Sequence, residues 1–470
     1  MGYVKSSGNS RRRSRRSRGL RRRLIAVAVL IACVTLAASL WSRDRAAHAA
    51  ARLSEVRTPS DLLADLPALL EPSPLPPWNS ADTRRLHDGV ADAFRPATEG
   101  AQRWSLAVVD AAGNTLFDYR ANDAVTPASV QKLVVAATAL DVLGPSFRYH
   151  TVLAAQQPAA VDGTLNGNLW LVGSGDPSLT RENLQSGVGM LARSGLRRVR
   201  GAVAVDASAM KGPEQNPHWS QDDANEDYAA PTNAVSIDED TVESTQTVGG
   251  VQEHFWTAVH GVNRWAGAVV DRLLRDRRIA VAGRPVVAPA PLDTVVLWDH
   301  RSDSLRGLET HMLFVSDNHY AEQLLRSLGA ERGPGDDAAG LKAEAQFLSE
   351  RGIPRPGLQL ADGSGLADSN RIAAITLARL LADAQSRGGA SSMYMLLPAG
   401  GREGTLRRYY FTTALGRVRA KSGHIDGVAS LAGYVNTLHH GRVAFAFMIN
   451  GSPGDPDAAI VRAVDRLATL

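Results

Sequence analysis

Residues 126–145 place the hardest constraint on how this chain can fold. They read Thr126-Pro127-Ala128-Ser129-Val130-Gln131-Lys132, then an uncharged run from Leu133 to Leu140, then Gly144-Pro145 as a stop. Leu133, Ala136, Ala137, Leu140 and Leu143 line one helical face, and Val134 and Val135 fill the rest. A helix that is apolar nearly all round must be enclosed by other elements. At its first turn stand Ser129 and, three residues on, Lys132, which share a face. A lone ammonium entering a desolvated region favours its neutral form. A neutral amine beside a hydroxyl is a base beside a nucleophile. The same residues also suit an N-cap serine followed by a lysine that reaches back to water. Ser-x-x-Lys alone does not choose between these readings.

What encloses the helix is legible on either side of it. A helix through Leu86–Phe94 precedes a hairpin, Trp104–Asp110 and Thr115–Arg120, joined by Ala111-Ala112-Gly113-Asn114. At the other end Arg417–Lys421, Ser430–Thr437 and Val443–Ile449 read as neighbouring strands, and Asp455-Pro456 caps a closing helix to Leu470. Helical patterns fill roughly 304–315, 318–328, 336–352 and 371–386. The prediction is an α+β fold: one antiparallel sheet joins both ends of the folded part, with helices on both faces. Residues 146–300 form a different, inserted module. Within it Val152–Ala155, Leu169–Val172 and Val203–Asp206 read as strands, Glu182–Ala192 and 264–279 as helices, and Val281–Leu297 as strand-like with prolines. Residues 207–260 carry little pattern. The glycine-rich turn Gly173-Ser174-Gly175-Asp176-Pro177 lacks the lysine and spacing of a phosphate loop.

With 470 residues the chain has room for two or three domains. Its net charge of +4 is misleading. Residues 1–23 hold Lys5 and nine arginines with no acid; without those ten, 42 basic residues face 48 acidic ones. The folded part is acidic, which argues against nucleic acid as its partner. Cys33 is the single cysteine, so no internal disulfide framework forms. Leu24–Trp41 is an uncharged apolar run of marginal spanning length behind an arginine block, the pattern that leaves the N-terminus inside and exports the rest. The expected organisation is a basic cytoplasmic tail (1–23), a signal-anchor or transmembrane segment (24–41) and an Ala/Pro-rich stalk (42–80). A catalytic part (81–145 with 301–470) follows, interrupted by the insertion at 146–300. The chain would sit in a bacterial cell membrane, with its folded part outside the cytoplasm. Cleavage at Ala47-His48-Ala49, giving a secreted or periplasmic product, is the alternative. Leu30-Ile31-Ala32-Cys33 has the look of a lipid-attachment site, but the residues after Cys33 stay apolar, which argues against it.

Two further short motifs follow Ser129-x-x-Lys132 in a fixed order. Ser316-Asp317-Asn318 opens the helix through Leu324, and Lys421-Ser422-Gly423 ends a strand. Ser316 can relay a proton to a leaving group. Asn318 can hold Lys132 and a substrate amide. Lys421 adds a second cation that depresses the proton affinity of Lys132 by repulsion and attracts a carboxylate. Gly423 lets a substrate backbone approach the strand edge. Taken singly, the last two motifs are a common helix start and a common strand end. All three in order, each on a suitable element, point to serine acyl transfer.

These motifs resemble those of the D-alanyl-D-alanine carboxypeptidase/endopeptidase family, the class C low-molecular-mass penicillin-binding proteins. The likeness extends through Gly175-Asp176-Pro177-Ser178-Leu179, Tyr228-Ala229-Ala230-Pro231 with Val235-Ser236, and Asp362-Gly363-Ser364-Gly365-Leu366. It continues in Leu397-Pro398 with Gly401 and Gly404-Thr405-Leu406, and in Gly427 and Leu431-Ala432-Gly433-Tyr434. It covers most of residues 100–470 and implies a penicillin-recognising serine transpeptidase/β-lactamase-like fold with an inserted domain. It implies acylation of Ser129 by peptidoglycan stem peptides ending in D-Ala-D-Ala, or cleavage of D-amino-acid cross-links. The backbone N–H groups of Ser129 and His424 would form the oxyanion hole. Penicillin and other β-lactam antibiotics are then ligands, and no cofactor or metal is called for. Asp223, with Asp222 as near rival, matches an aspartate that contacts the free amino end of the stem peptide. Ser422 stands where threonine is usual, and His424 where a small hydroxyl residue is common. The interval Val235–Trp265 is short, so a second insertion is reduced.

The rivals lack support in the chain. There is no Gly-x-Ser-x-Gly elbow and no His-Glu-x-x-His helix, and His439-His440 reads as a solvated turn. A β-lactamase-like hydrolase would need a deacylating base, and no Glu-x-x-x-Asn segment follows Asn318. A silent peptidoglycan-binding scaffold would not need Ser129, Lys132 and Lys421 intact.

Overall fold

Strand parity organises the main sheet. In the computed structural model, which describes residues 76–248, 251–389 and 392–470, five antiparallel strands lie in the order Val418–Ile425, Val428–Asn436, Arg442–Asn450, Arg103–Val109, Thr115–Tyr119. The two chain ends meet where Ala107 pairs with Ala446. Alternate side chains enter opposite cores. Phe445, Phe447, Ile449, Leu106 and Val108 pack with Phe94 under the helices Ser80–Thr98 and Pro456–Ala468. Ala107, Ala432, Ala444 and Ala446 face the other way, and these small residues let the helices Ala374–Arg387 and Lys132–Val142 pack close on that side.

The helices start where side-chain oxygens can cap them. Asp317 accepts from Tyr320 N at 3.0 Å. Asp455 accepts from Ala458 N at 2.9 Å, with Pro456 in the first turn as the sequence predicts. At the start of the folded unit Asn79 accepts from Ala81 N at 2.9 Å. Just before it, Trp78 stacks on His440 at 4.2 Å between ring centroids. His440 also contacts Asp82 at 3.3 Å, so it is packed against the first helix and not solvated as the sequence suggested.

Residues 150–301 carry a second, mixed sheet, ordered Val286–Val287, Val203–Asp206, Leu169–Gly173, His150–Ala155, Val295–Arg301. Leu169–Gly173 and Val203–Asp206 run parallel, linked through the helix Arg181–Arg193, and that helix with Val262–Asp276 covers the sheet. The patternless interval holds a hairpin, Thr241–Val248 with Val251–Ala258. Neither strand has a continuous apolar face, so alternation gave no signal; the Gly249-Gly250 pair in the sequence was the usable one. The tail, the apolar run Leu24–Trp41 and most of the stalk lie outside the described residues. Among the described residues no helix is long and apolar enough to cross a membrane.

Candidate active site

The helix Lys132–Val142 is enclosed as its composition requires: every residue from Lys132 to Ala139 is at most 1% exposed. The helices Leu305–Val315, Asn318–Arg332, Asp337–Glu350 and Ala374–Arg387 surround it. Its entry differs from the simple helical turn that was predicted. Ala128–Gln131 forms a 3-10 turn, and Ala128 takes a left-handed φ of 51°. In a 3-10 turn residues three apart eclipse one another, which brings Lys132 Nζ to 3.0 Å from Ser129 Oγ. The Asp362–Leu366 loop closes over this turn. A Cβ on Gly365 would lie 2.0 Å from the Ala128 carbonyl oxygen, so only glycine lets the loop pack there.

Lys132 Nζ is buried and surrounded by acceptors. Besides Ser129 it donates to Asn318 Oδ1 and to the Ser364 carbonyl, each at 2.7 Å. Burial lowers its pKa to about 8, against the pull of Asp362, Glu322 and Asp317, which favour the ammonium. Lys421 Nζ donates to Ser316 Oγ at 2.8 Å. Its pKa falls well below the ordinary value, first through burial and then through repulsion from Lys132 and Arg408. Repulsion between two buried amines acts on both, and Lys132 has in addition three carboxylates near it that favour its charge.

Ser316 ends the helix Leu305–Val315 in a left-handed conformation, φ 67°. That strained position turns its hydroxyl toward Lys421 and starts the next helix at Asn318. Asn318 Nδ2 donates to the Tyr228 carbonyl at 2.8 Å, so only one of its amide N–H groups is left for a substrate. Beneath this corner, donor atoms of Glu239, His311 and Asp317 lie within 4.8 Å of one another. His311 and Asp317 form an ion pair at 3.4 Å, and burial raises the Glu239 carboxyl to about 7, so the group reads as a balanced ion pair beside an acid.

The third motif lies on the edge strand Val418–Ile425. Ala420 N–H leaves the sheet to Pro398 O at 3.2 Å, and a period of two aims the N–H groups of Ser422 and His424 the same way. Gly423 serves a purpose the sequence reading did not anticipate. A Cβ there would lie 2.8 Å from Ser129 N and 2.4 Å from Ser430 Oγ, so glycine admits the backbone of Ser129. Ser422 is 4% exposed and its hydroxyl lies 2.8 Å from Thr405 Oγ1, so its hydroxyl is already engaged within the protein. The His424 imidazole meets Asp457 at 2.9 Å and also contacts Arg408. Burial pushes Asp457 up, but His424, Tyr409 and Arg408 outweigh it and hold the carboxyl below its usual range.

A cleft of about 840 Å³ opens over Ser129, lined among others by Ser316, Asn318, His424, Trp219, Asp222 and Asp223. Asp223 accepts from Tyr228 OH at 2.8 Å, which pushes the phenol to about 12. The structure thus brings Ser129, Lys132, Ser316, Asn318, Lys421, Gly423 and His424 to one place, with Asp223 on the cleft wall and the Ser422 hydroxyl beside Thr405. Sequence reasoning missed Glu322. Its signal was position alone, one turn beyond Asn318 on the same helical face.

Residues 90–253 and 247–469 match the D-Ala-D-Ala carboxypeptidase 3 (S13) family. A D-alanyl-D-alanine carboxypeptidase of Actinomadura sp. (strain R39) is 30% identical over 90% of each chain. The D-alanyl-D-alanine carboxypeptidase DacB of Haemophilus influenzae is 25% identical over 80% of this chain and 91% of its own. The crystal structure of penicillin binding protein 4 from Haemophilus influenzae superposes with a TM-score of 0.73 at 24% identity, covering 80% of this chain and 98% of that one. Its complex with a β-lactam gives a TM-score of 0.68.

Proposed function

The chain belongs to the D-Ala-D-Ala carboxypeptidase 3 (S13) family, and we propose that it works through an acyl-enzyme on Ser129. It is a serine-type D-Ala-D-Ala carboxypeptidase/endopeptidase that acts on peptidoglycan and binds β-lactams. The observation that carries the residue assignment is the buried Lys132 amine, 3.0 Å from Ser129 Oγ, with Asn318 and Ser364 fixing its direction.

In the reaction, neutral Lys132 takes the Ser129 proton as Oγ attacks the carbonyl of the penultimate D-alanine. The N–H groups of Ser129 and His424 receive the oxyanion. Ser316, hydrogen-bonded to Lys421, passes a proton to the departing amine. D-alanine, or the amine of a cross-linked neighbour, leaves, and water then hydrolyses the ester. With penicillin the same attack opens the lactam ring, and the amine stays tethered. We read residues 81–145 and 301–470 as the catalytic part and 146–300 as the insertion whose Tyr228 and Asp223 wall the cleft. The apolar run Leu24–Trp41 supports an anchor that leaves this part outside the cytoplasm.

Purified peptidoglycan digested with the protein and analysed by mass tests the reading. Loss of one D-alanine from pentapeptides marks carboxypeptidase action, and dimers becoming monomers mark endopeptidase action. Unchanged muropeptides from folded, penicillin-labelled protein would overturn it. Asp223→Asn is expected to raise KM about tenfold for a pentapeptide whose side-chain amine is free, with kcat little changed, as for loss of one charge-assisted hydrogen bond. Acetylating that amine should erase the difference. An equal effect from Asp222→Asn alone would move the assignment to its neighbour.

A further inference from the structure

Glu322 stands one turn beyond Asn318 on the helix Asn318–Arg332 and is 1% exposed. Its carboxylate faces the loop that covers the nucleophile. Oε1 accepts from Ser364 N at 2.7 Å and from Gly363 N at 3.1 Å, and Oε2 from Gly363 N at 3.3 Å. The carbonyl of the same Ser364 accepts from Lys132 Nζ. The helix therefore reaches Lys132 twice, directly through Asn318 and through one peptide unit held by Glu322. The charged groups facing Glu322 are Lys132 from the nucleophile helix, Asp362 from the loop, and Asp337 and Glu344 from the helix Asp337–Glu350. Asp362 is saturated by N–H donors from Gly365, Ala367, Asn370 and Trp219. Asp337 is paired with Arg326 at 2.6 Å. Glu344 is fully buried with neither carboxyl oxygen hydrogen-bonded, and burial pushes its carboxyl well above the ordinary range. Glu322 is buried as well, and burial with repulsion from Asp362 raises its carboxyl to about 8, the range in which Lys132 titrates; it is the carboxylate that both touches the loop and exchanges charge with the base over that interval.

We propose that Glu322 is a positioning residue for Lys132: it fixes the Gly363–Ser364 turn against Nζ, and its charge sets the pH at which the base becomes neutral. This rests on the reading of Lys132 as the base. An anion behind an amine favours the ammonium. Removing the charge therefore lets Nζ lose its proton at lower pH, and the ascending limb of the rate moves toward acid.

The test is the pH profile of acylation by fluorescent penicillin, with each variant's melting curve recorded alongside. Glu322→Gln is expected to move the limb down by about half a pH unit or more, and to lower the plateau about tenfold, because its amide nitrogen cannot accept from Gly363. Glu322→Asp keeps the charge but reaches one methylene less far, so its plateau falls while its limb stays. Glu344→Gln, at a site with no hydrogen bond to the loop, leaves both unchanged. A folded Glu322→Gln whose limb overlays the wild type overturns the proposal, as does Glu344→Gln moving the limb equally. If Glu322→Gln does not fold, Glu322→Asp decides, and a wild-type plateau there overturns it. A different failure would belong to the base itself: wild-type protein with no ascending limb at all sinks the reading of Lys132, whatever Glu322 does.

Discussion

Lys132→Met is expected to slow acylation by penicillin about a thousandfold or more, within the range that general bases contribute, and Ser129→Ala to abolish covalent labelling. Methionine fills the volume of the buried lysine side chain and cannot take a proton. In the wild type the rate should rise with pH to a plateau above about 8, where the buried amine becomes neutral. At pH 7 roughly a tenth of the molecules then hold Lys132 neutral, against a few in ten thousand for an ordinary lysine. The residual rate of the variant should lack that limb. Stability supplies a second readout. A native pKa of about 8 against an ordinary 10.5 means that the unfolded chain binds the proton more tightly. The native state is therefore penalised by about 3 kcal/mol below pH 8, and the penalty fades as pH rises to 10.5. Denaturation at these two pH values should show a gain in wild-type stability that Lys132→Met lacks. A variant that acylates at the wild-type rate would remove Lys132 from the role of base.

The burial of Lys132 beside Ser129 was legible in the sequence because its signal is local: an uncharged run predicts an enclosed helix, and burial favours a neutral amine. The sheet joining both ends was legible because Val443–Ile449 and the first hairpin alternate or run apolar as neighbouring strands do. What could not be read was everything fixed by chains that meet from afar. Gly423 read as room for a substrate backbone, and neither it nor Gly365 revealed that Ser129 N and the Ala128 carbonyl lie against them. The Thr405 hydroxyl beside Ser422 was equally out of reach of the sequence. That Glu322, Asp362 and Asp317 lie near Lys132 was not legible either, because a linear sequence does not give distances among residues on separate elements.

Gly423→Ala is expected to lower acylation by about a hundredfold or more, through geometry alone. Gly423 lies in a strand with no left-handed φ, so alanine is permitted by the backbone, and only space opposes it. The added methyl would stand 2.4 Å from Ser430 Oγ, 2.8 Å from Ser129 N and 3.0 Å from the Pro127 carbonyl oxygen. Ser430 cannot simply turn away without losing its bonds to Pro127 O at 2.7 Å and Gly423 O at 3.1 Å. The relief has to come from separating the strand from the nucleophile turn, at a cost of about 1–3 kcal/mol for an overpacked site. That separation parts the Ser129 and His424 N–H groups, the two donors assigned to the oxyanion. Gly427→Ala is the control on the same hairpin. Its φ of 72° strains alanine, but nothing lies within 4 Å of the new methyl. It should lose about 1 kcal/mol of stability and keep its acylation rate. Measured by stopped-flow labelling at matched folded fraction, the two variants separate a misplaced oxyanion hole from a weakened fold. Equal rates in Gly423→Ala and wild type would show that the strand yields without moving Ser129, and that these two N–H groups do not together hold the charge.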